Sequence, residues 1–350
     1  MNIFIIIIKV IYYGVIQFRN YLYDRRILRT RRVSVPVVSV GNLSFGGTGK
    51  TPLVMWIAHK IHQAGYTVVI LSRGYKRKSF FVKIVSDTEQ VRTTRRRAGD
   101  EPYLMAHRLK GIPVIVSRNR VRGAKKAIKQ FEPDVIILDD GFQHRKLARN
   151  ADIVLIDSPN IFNNRILLRE PLKNISRAHA VVFTKYNFYE NAEEIHKQMI
   201  KKFSCPVFYS YYTPLYIAND TEQLPARVLE NANVWLFAGI GKPDYFIFTV
   251  EQAGARIEKT FFYRDHAHYS RRRVRKIINS FNASSADYII TTEKDWHKIK
   301  QWVPVGSRFF YVGIDVTLNR SGLLLKLIYN LTHLKKRSEE DVESGVLHPV

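Results

Sequence analysis

From residue 33 onward, short β-branched apolar runs alternate with stretches of helical period. The runs at 36–40, 67–71, 113–117, 135–138, 153–156 and 181–184 predict strands. They lack strict apolar–polar alternation, as strands buried on both faces of a parallel sheet do. Helical patterns at 51–64 and 119–130 fall between them. Residues 33–205 therefore predict βαβ units and an α/β domain with a doubly wound parallel sheet. The segment 76–97 breaks the rhythm with a hairpin pattern and the run RTTRRR. Residues 206–233 carry Pro206, Pro214 and Pro225 without a clear period and are expected to form a linker. Further runs at 234–237, 288–291 and 309–312 predict a second, smaller α/β domain over 234–335. The polar tail 336–350 is expected to fray. No internal repeat is present.

The first eighteen residues, MNIFIIIIKVIYYGVIQF, are the most apolar stretch of the chain. As a helix, residues 3–18 reach about 24 Å at ~1.5 Å per residue, short of a bilayer core of about 30 Å. Asn2, Lys9, Tyr13, Gln17 and Asn20 fall on one narrow stripe of the helical wheel, and Ile or Val fill most of the rest. That pattern suits a helix lying in a membrane interface; a single span and a buried core helix are the alternatives. A secretory signal would need a small-residue cleavage site, and RNYLYDRR follows instead. Residues 1–32 thus form an expected membrane-associated helix with a basic segment behind it.

Composition sharpens this picture in one respect. The apolar and charged fractions, 46% and 25% over 350 residues, are those of a globular chain with a sizeable core. The charge balance is not ordinary, since 56 Lys and Arg against 30 Asp and Glu give +26. Such a surplus attracts acidic partners: nucleic acid, anionic lipid or phosphorylated substrate. The basic residues are dispersed, and no zinc pattern or stacking motif accompanies them, so nucleic acid is not the expected partner. A single cysteine, Cys205, excludes an internal disulfide and any CxxC site.

SVGNLSFGGTGKTP (39–52) carries the clearest chemistry. The phosphate-loop pattern G-x-x-x-x-G-K-[ST] is met at Gly49, Lys50 and Thr51, with Ser44 in place of the first glycine. An apolar strand enters it and a helix with Pro52 in its first turn leaves it. Across Ser44, Phe45, Gly46, Gly47, Thr48 and Gly49 the backbone N–H groups are expected to converge on phosphate. Lys50 would reach the β- and γ-phosphates and Thr51 would ligate Mg²⁺. A glycine-rich turn before a helix is the plainer alternative. The acidic metal group such a site needs is supplied by Asp139 and Asp140, directly after an apolar strand. Neighbouring residues on an extended chain point opposite ways, so one of the two is expected to reach the metal directly. Thr184-Lys185-Tyr186-Asn187 approaches a guanine-reading motif but has Asn where Asp would accept both guanine N–H groups, which points to ATP.

Eight motifs occur in order: SVGNLSFGGTGKTP, LSRGY (71–75), AGDEP (98–102), LDDGFQHRKL (138–147), LREP (168–171), FAGIGKP (237–243), RDHAHY (264–269) and TTEKD (291–295). Together they resemble the tetraacyldisaccharide 4'-kinase family, the lipid A 4'-kinases of Gram-negative bacteria, from the apolar N-terminus to about residue 315. The resemblance implies a P-loop kinase on the cytoplasmic face of the inner membrane. It would move the γ-phosphate of ATP to the 4'-hydroxyl of a tetraacylated disaccharide 1-phosphate, giving lipid IVA. The implied partners are that acylated lipid and the anionic membrane surface.

Carried over onto matching positions, Asp100 would accept the proton of the 4'-hydroxyl, with His266 as the partner that tunes it. Read alone, Asp100 is a helix cap and His266 a surface histidine. Arg118 would assist catalysis, and Arg73, Tyr75, Gln143 and Glu170 match positions near phosphate or substrate. Three departures stand out. The usual DHH is Asp265-His266-Ala267-His268, the preceding proline is Arg264, and the stretch before LREP is shortened to NNRIL. The competing reading is a nucleotide-dependent switch or a nucleic-acid-dependent ATPase, which would have no need of Asp100 as a base.

Overall fold

The structure, a computed structural model, describes residues 3–44, 47–75, 77, 80–157 and 168–334. Within them the chain forms two compact units. One holds the residues up to Thr184, Asn191–Ser210 and the segment from Leu318; the other holds Lys185–Glu190 and Tyr211–Thr317.

The first unit is built on β1 (Val37–Asn42), β2 (Val68–Ser72), β3 (Lys83–Ser86), β4 (Val114–Val116), β5 (Val135–Asp139), β6 (Ala151–Ile156) and β7 (Ala180–Phe183), joined by the first residues of β8 (Val207–Ala218). Their order across the sheet is β3-β4-β2-β5-β1-β6-β7-β8. All pairings are parallel except that of β3 with β4. Successive side chains feed opposite faces. Val38, Val40 and Ile137 pack with α2 (Lys50–Gln63), whereas Val37, Ile136 and Leu138 pack on the other side with α5 (Arg120–Phe131). Burial on both faces explains why these strands read as continuous apolar runs. β1 and β5 lie side by side, so the loops after Asn42 and Asp139 leave from adjacent carboxyl ends, where α/β folds place their ligands. Two further helices, α3 (Arg95–Ala98) and α4 (Asp100–Arg108), precede β4, and α6 (Ala192–Lys202) precedes β8.

The second unit repeats the plan with β10 (Asn233–Gly239), β11 (Arg256–Tyr263), β12 (Tyr288–Thr292) and β13 (Phe309–Leu318), in parallel and in the order β11-β10-β12-β13. One face packs α7 (Pro243–Glu251) through Phe246 and Val250. The other packs α8 (Arg271–Asn282) through Val274, Ile277, Ile278 and Phe281. α9 (Glu293–Ile299) follows β12 directly.

Every expected strand is present to within a few residues, two expectations need correction, and one strand is additional. Residues 206–233 are not a linker: β8 runs through Pro214 and pairs antiparallel with β9 (Gln223–Pro225), and a 3₁₀ turn, Ala226–Leu229, follows. The prolines masked a strand whose other residues are aromatic and β-branched. β11 escaped notice because it is an edge strand with exposed Arg256, Glu258, Lys259 and Thr260. The helix α10 (Ser321–Thr332) does not belong with 234–317, because its buried Leu324 and Ile328 join the core of the first unit. The tail 336–350 lies outside the described residues.

The N-terminal helix α1 (Ile3–Asp24) attaches to the first unit through Tyr12, Tyr13 and Asn20. The Tyr12 hydroxyl donates to the Arg169 carbonyl (3.0 Å), and the Leu168 N–H donates to the Tyr13 hydroxyl (2.8 Å). Asn20 is buried and donates to Glu170 Oε2 (3.0 Å), while Arg145 binds Asp24 (2.6 Å). Val10, Ile11, Val15 and Phe18, each more than 60% exposed, face away from the protein on one side of the helix. Among the described residues no helix is long and apolar enough to cross a membrane.

Glu170 is the point on which this attachment turns. It is fully buried, and its Oε2 also accepts from Asn174 (2.8 Å) and Arg177 (2.6 Å). Removing it strands a mostly buried guanidinium, so Glu170→Ala should lower unfolding free energy by roughly 3 kcal/mol. Urea denaturation measures this, and a loss within error of zero would show that the network contributes nothing.

Candidate active site

The loop between β1 and α2 is wired from three sides. Asn42, the last residue of β1, donates through Nδ2 to the Ser44 carbonyl (2.8 Å) and the Thr48 hydroxyl (2.9 Å). Ser44 Oγ donates to Asp157 just beyond β6 (3.0 Å), and Thr184 just beyond β7 donates to the Thr48 carbonyl (3.0 Å). Gly49 has φ 78°, a left-handed conformation that glycine adopts without steric cost, and α2 begins at the next residue. No side chain caps that helix and no acidic residue lies in its first turn. An uncapped helix start of this kind favours an anion. Thr51 sits in the first turn, half-buried. Phe45 and Gly46 lie outside the described residues.

Lys50 donates to Asn42 Oδ1 (3.2 Å) and lies 3.7 Å from Asp140 Oδ1. Arg169 of LREP binds the same Asp140 oxygen at 2.6 Å. Asp139 is buried and accepts from Ser72 Oγ at the end of β2 (2.7 Å). The two neighbouring carboxylates therefore differ in kind. Burial, reinforced by the charge of Asp140, pushes the Asp139 carboxyl up to about 6. Burial acts on Asp140 in the same sense, but Lys50, Arg169 and Arg120 together hold it below the usual carboxylate range. Asp140 also sits at φ 53°, a left-handed backbone that turns it away from the path of Asp139. Among the described residues no cluster of three His, Cys, Asp or Glu could hold a metal. Two carboxylates and the Thr51 hydroxyl instead fit Mg²⁺, which usually takes one or two carboxylates and leaves its other positions to phosphates and water.

A basic group closes the same end of the sheet. Arg120 opens α5 and is buried, its guanidinium lowered to about 10 by burial, with Asp140 opposing the shift and Arg73 adding to it. Arg77 is equally buried and donates to the Val116 and Phe80 carbonyls. Arg118 is exposed and stacks over the Phe80 ring at 4.1 Å. His144 is kept neutral, lowered to about 4 by burial and by Arg120, Arg149 and Lys146 nearby.

The tetraacyldisaccharide-1-P 4'-kinase (LpxK) family profile matches residues 1–332. The tetraacyldisaccharide 4'-kinase of Aquifex aeolicus is 36% identical over 330 residues, covering 92% of this chain and 96% of its own length. That of Chlorobaculum parvum is 37% identical, covering 82% of this chain and 81% of its own. The chain belongs to the tetraacyldisaccharide 4'-kinase family. A crystal structure of Aquifex aeolicus LpxK, described as an "apo" form in complex with ATP, superposes with a TM-score of 0.74 at 35% identity, over 93% of this chain and 98% of that one.

The candidate residues read from the sequence and those implied by the family resemblance occupy several places. Lys50, Thr51, Asp139 and Asp140 come together at the loop, and Gln143 joins them by donating to the Asn42 carbonyl (2.9 Å). Arg73 and Tyr75 are exposed just after β2, and Arg118 just after β4. Asp100 opens α4 behind Gly99 and pairs with Arg95 Nη1 at 2.9 Å; the helix has no side-chain cap, so the plain capping role does not account for it. His266 belongs to the second unit, in a turn after β11, at φ 60°. Glu170 is the exception, since its buried carboxylate serves the attachment of α1. Sequence reasoning missed Asn42, Asp157, Thr184, Arg77 and Arg120. Only the invariable polarity at the ends of apolar strands could have pointed to the first three, and the two arginines look like solvated charge.

The raised Asp139 carboxyl has a testable sign. A folded value near 6 above an unfolded value near 3.9 means that folding favours the proton. Stability is therefore lost as pH rises from about 4 through 6. In protein freed of metal with a chelator, Asp139→Asn should raise the melting temperature at pH 7.5 and leave it unchanged near pH 4. Equal melting at pH 7.5 would contradict the assignment.

Proposed function

We infer that the protein is an ATP-dependent kinase that transfers the γ-phosphate of ATP to the 4'-hydroxyl of a tetraacyldisaccharide 1-phosphate, giving lipid IVA. Membership of the family carries this reading, and the loop of Lys50 and Thr51 beside Asp139 and Asp140 is the observation that supports it. The glycine-led start of α2 would cradle the phosphates of ATP, with Lys50 on the β- and γ-phosphates. Mg²⁺, held by Thr51 and one of the two aspartates, would supply neutralisation of charge on those phosphates. Lys50 and Arg169 both pair with Asp140, which ties their positive charge to the same strand end as the metal-binding carboxylates. Arg73, Arg118 and Arg120 supply fixed positive charge for the transferring phosphoryl group. Asp100 would take the proton of the acceptor hydroxyl, with His266 as its partner. Nothing observed favours the switch or nucleic-acid-dependent ATPase.

The lipid substrate gives the outward face of α1 a purpose. Val10, Ile11, Val15 and Phe18 would lie in the interface of the cytoplasmic leaflet of the inner membrane, and the six arginines from Arg19 to Arg32 would meet anionic headgroups. With Tyr12, Tyr13 and Asn20 taken up by the first unit, the helix lies on the membrane rather than across it.

Lys50→Ala should lower kcat by about 10²-fold or more, because charge is lost where the transferring group develops it. Asp100→Ala should cost ~10²–10⁴-fold in transfer while ATP affinity holds. Radiolabel transfer from ATP to a lipid A disaccharide precursor reads both. Near-normal turnover of Lys50→Ala would remove the phosphate-loop assignment. Deleting residues 1–18 should release the protein from anionic vesicles in a flotation assay; unchanged flotation would assign membrane binding to the basic surface alone.

A further inference from the structure

Three motifs of the second unit, FAGIGKP, RDHAHY and TTEKD, converge on one buried carboxylate, Asp295. It is wholly inaccessible to solvent and lies in the first turn of α9. Its Oδ1 accepts from the Tyr269 hydroxyl (2.9 Å) and Lys298 Nζ (2.8 Å). Its Oδ2 accepts from the Gly239 N–H (2.8 Å) and the Thr292 hydroxyl (2.9 Å). Four donors on one carboxylate are more than an ion pair with Lys298 requires. Two of them, the Gly239 N–H and the Tyr269 hydroxyl, come from the other two motifs.

Tyr269 closes the turn that carries His266. Its ring packs on Phe237 and Tyr263, and its hydroxyl passes so close to Gly239 that a Cβ there would collide with it. The turn is braced at its start as well. Lys294, next to Asp295, binds Asp265 Oδ1 at 3.2 Å, and that oxygen accepts from the His266 N–H at 2.9 Å. The Ala267 N–H donates to the Arg264 carbonyl (2.9 Å). Between these ties His266 is held at φ 60°, a strained conformation for a residue with a Cβ, which persists only where its surroundings impose it.

We propose that Asp295, through the Tyr269 hydroxyl, is a positioning residue for His266, with Lys294 bracing the same turn through Asp265. TTEKD is then more than a helix start. Lys294 and Asp295 grip the two ends of the RDHAHY turn, and FAGIGKP contributes the glycine that lets the tyrosine reach the carboxylate. The proposal rests on reading His266 as the partner of the catalytic base.

The decisive variant is Tyr269→Phe, which keeps the ring packing and removes only the hydroxyl. It should lower kcat about tenfold with the KM for ATP unchanged, and it should move the His266 ring-proton signals in NMR spectra. Combined with His266→Ala it should be no slower than His266→Ala alone, because both changes remove one function. Lys298→Met combined with Asp295→Asn, which removes both charges together, should behave as Tyr269→Phe does; Asp295→Glu should not rescue, since its longer arm displaces the hydroxyl. If Tyr269→Phe leaves kcat and the His266 signals unaltered while His266→Ala is slow, the positioning role is wrong and the His266 assignment stands. Multiplicative losses in the double variant overturn it equally. Full activity of His266→Ala removes the underlying reading, and this proposal with it.

Discussion

Two adjacent carboxylates at the end of β5 set the terms for the site around them. Placed side by side at the buried carboxyl end of a parallel strand, Asp139 and Asp140 cannot both be ionised without compensation. The first unit resolves the conflict asymmetrically. Asp139 takes a neutral hydroxyl donor, Ser72, and holds its proton up to about 6. Asp140 leaves the strand in a left-handed conformation and gathers Lys50 and Arg169, with Arg120 behind them. Those cations come from three separate segments, and each must fold correctly before the charge is balanced. The phosphate loop, the LREP segment and the start of α5 are thereby tied to one strand end.

The same LREP segment ties the active site to the N-terminal helix. Arg169 reaches Asp140, while its carbonyl receives Tyr12 and the following Glu170 receives Asn20. Residues 168–170 therefore serve the charge balance of the site on one side and the attachment of α1 on the other. Three consecutive residues thus link α1 to the charge balance at the end of β5. Tyr13 and Asn20, which an interfacial helix would normally turn toward water, are here turned toward protein, and Val10, Ile11, Val15 and Phe18 form the outer surface.

The fold was largely legible because both faces of each central strand are buried, and such strands read as unbroken β-branched runs. Legibility failed where a strand carried another signal: prolines in β8, and exposed charge in the edge strand β11. At the site, residues whose role follows from spacing were readable, such as Lys50 and Thr51 after a glycine-rich turn, or Asp139 and Asp140 after an apolar run. Asn42 and Asp157 were not, because their role depends on contacts across more than a hundred residues or on a loop's folded path. Glu170 shows the same dependence: the family resemblance sets it near substrate, and its three donors come from residues 20, 174 and 177.

The net charge of +26 also changes meaning once the structure is known. Read from composition, the surplus is a surface field. Arg77 and Arg120, however, are each only 4% exposed, so part of the surplus lies inside the first unit. The choice of arginine there follows from the cost of burial. A guanidinium pulled down to about 10 is still charged at neutral pH. A lysine begins ~2 units lower, so the same burial would leave its charge open to titration just above neutral pH, a less secure counter-charge for Asp140. The basic composition is therefore not a surface property alone, because part of it is buried charge that stays on at neutral pH.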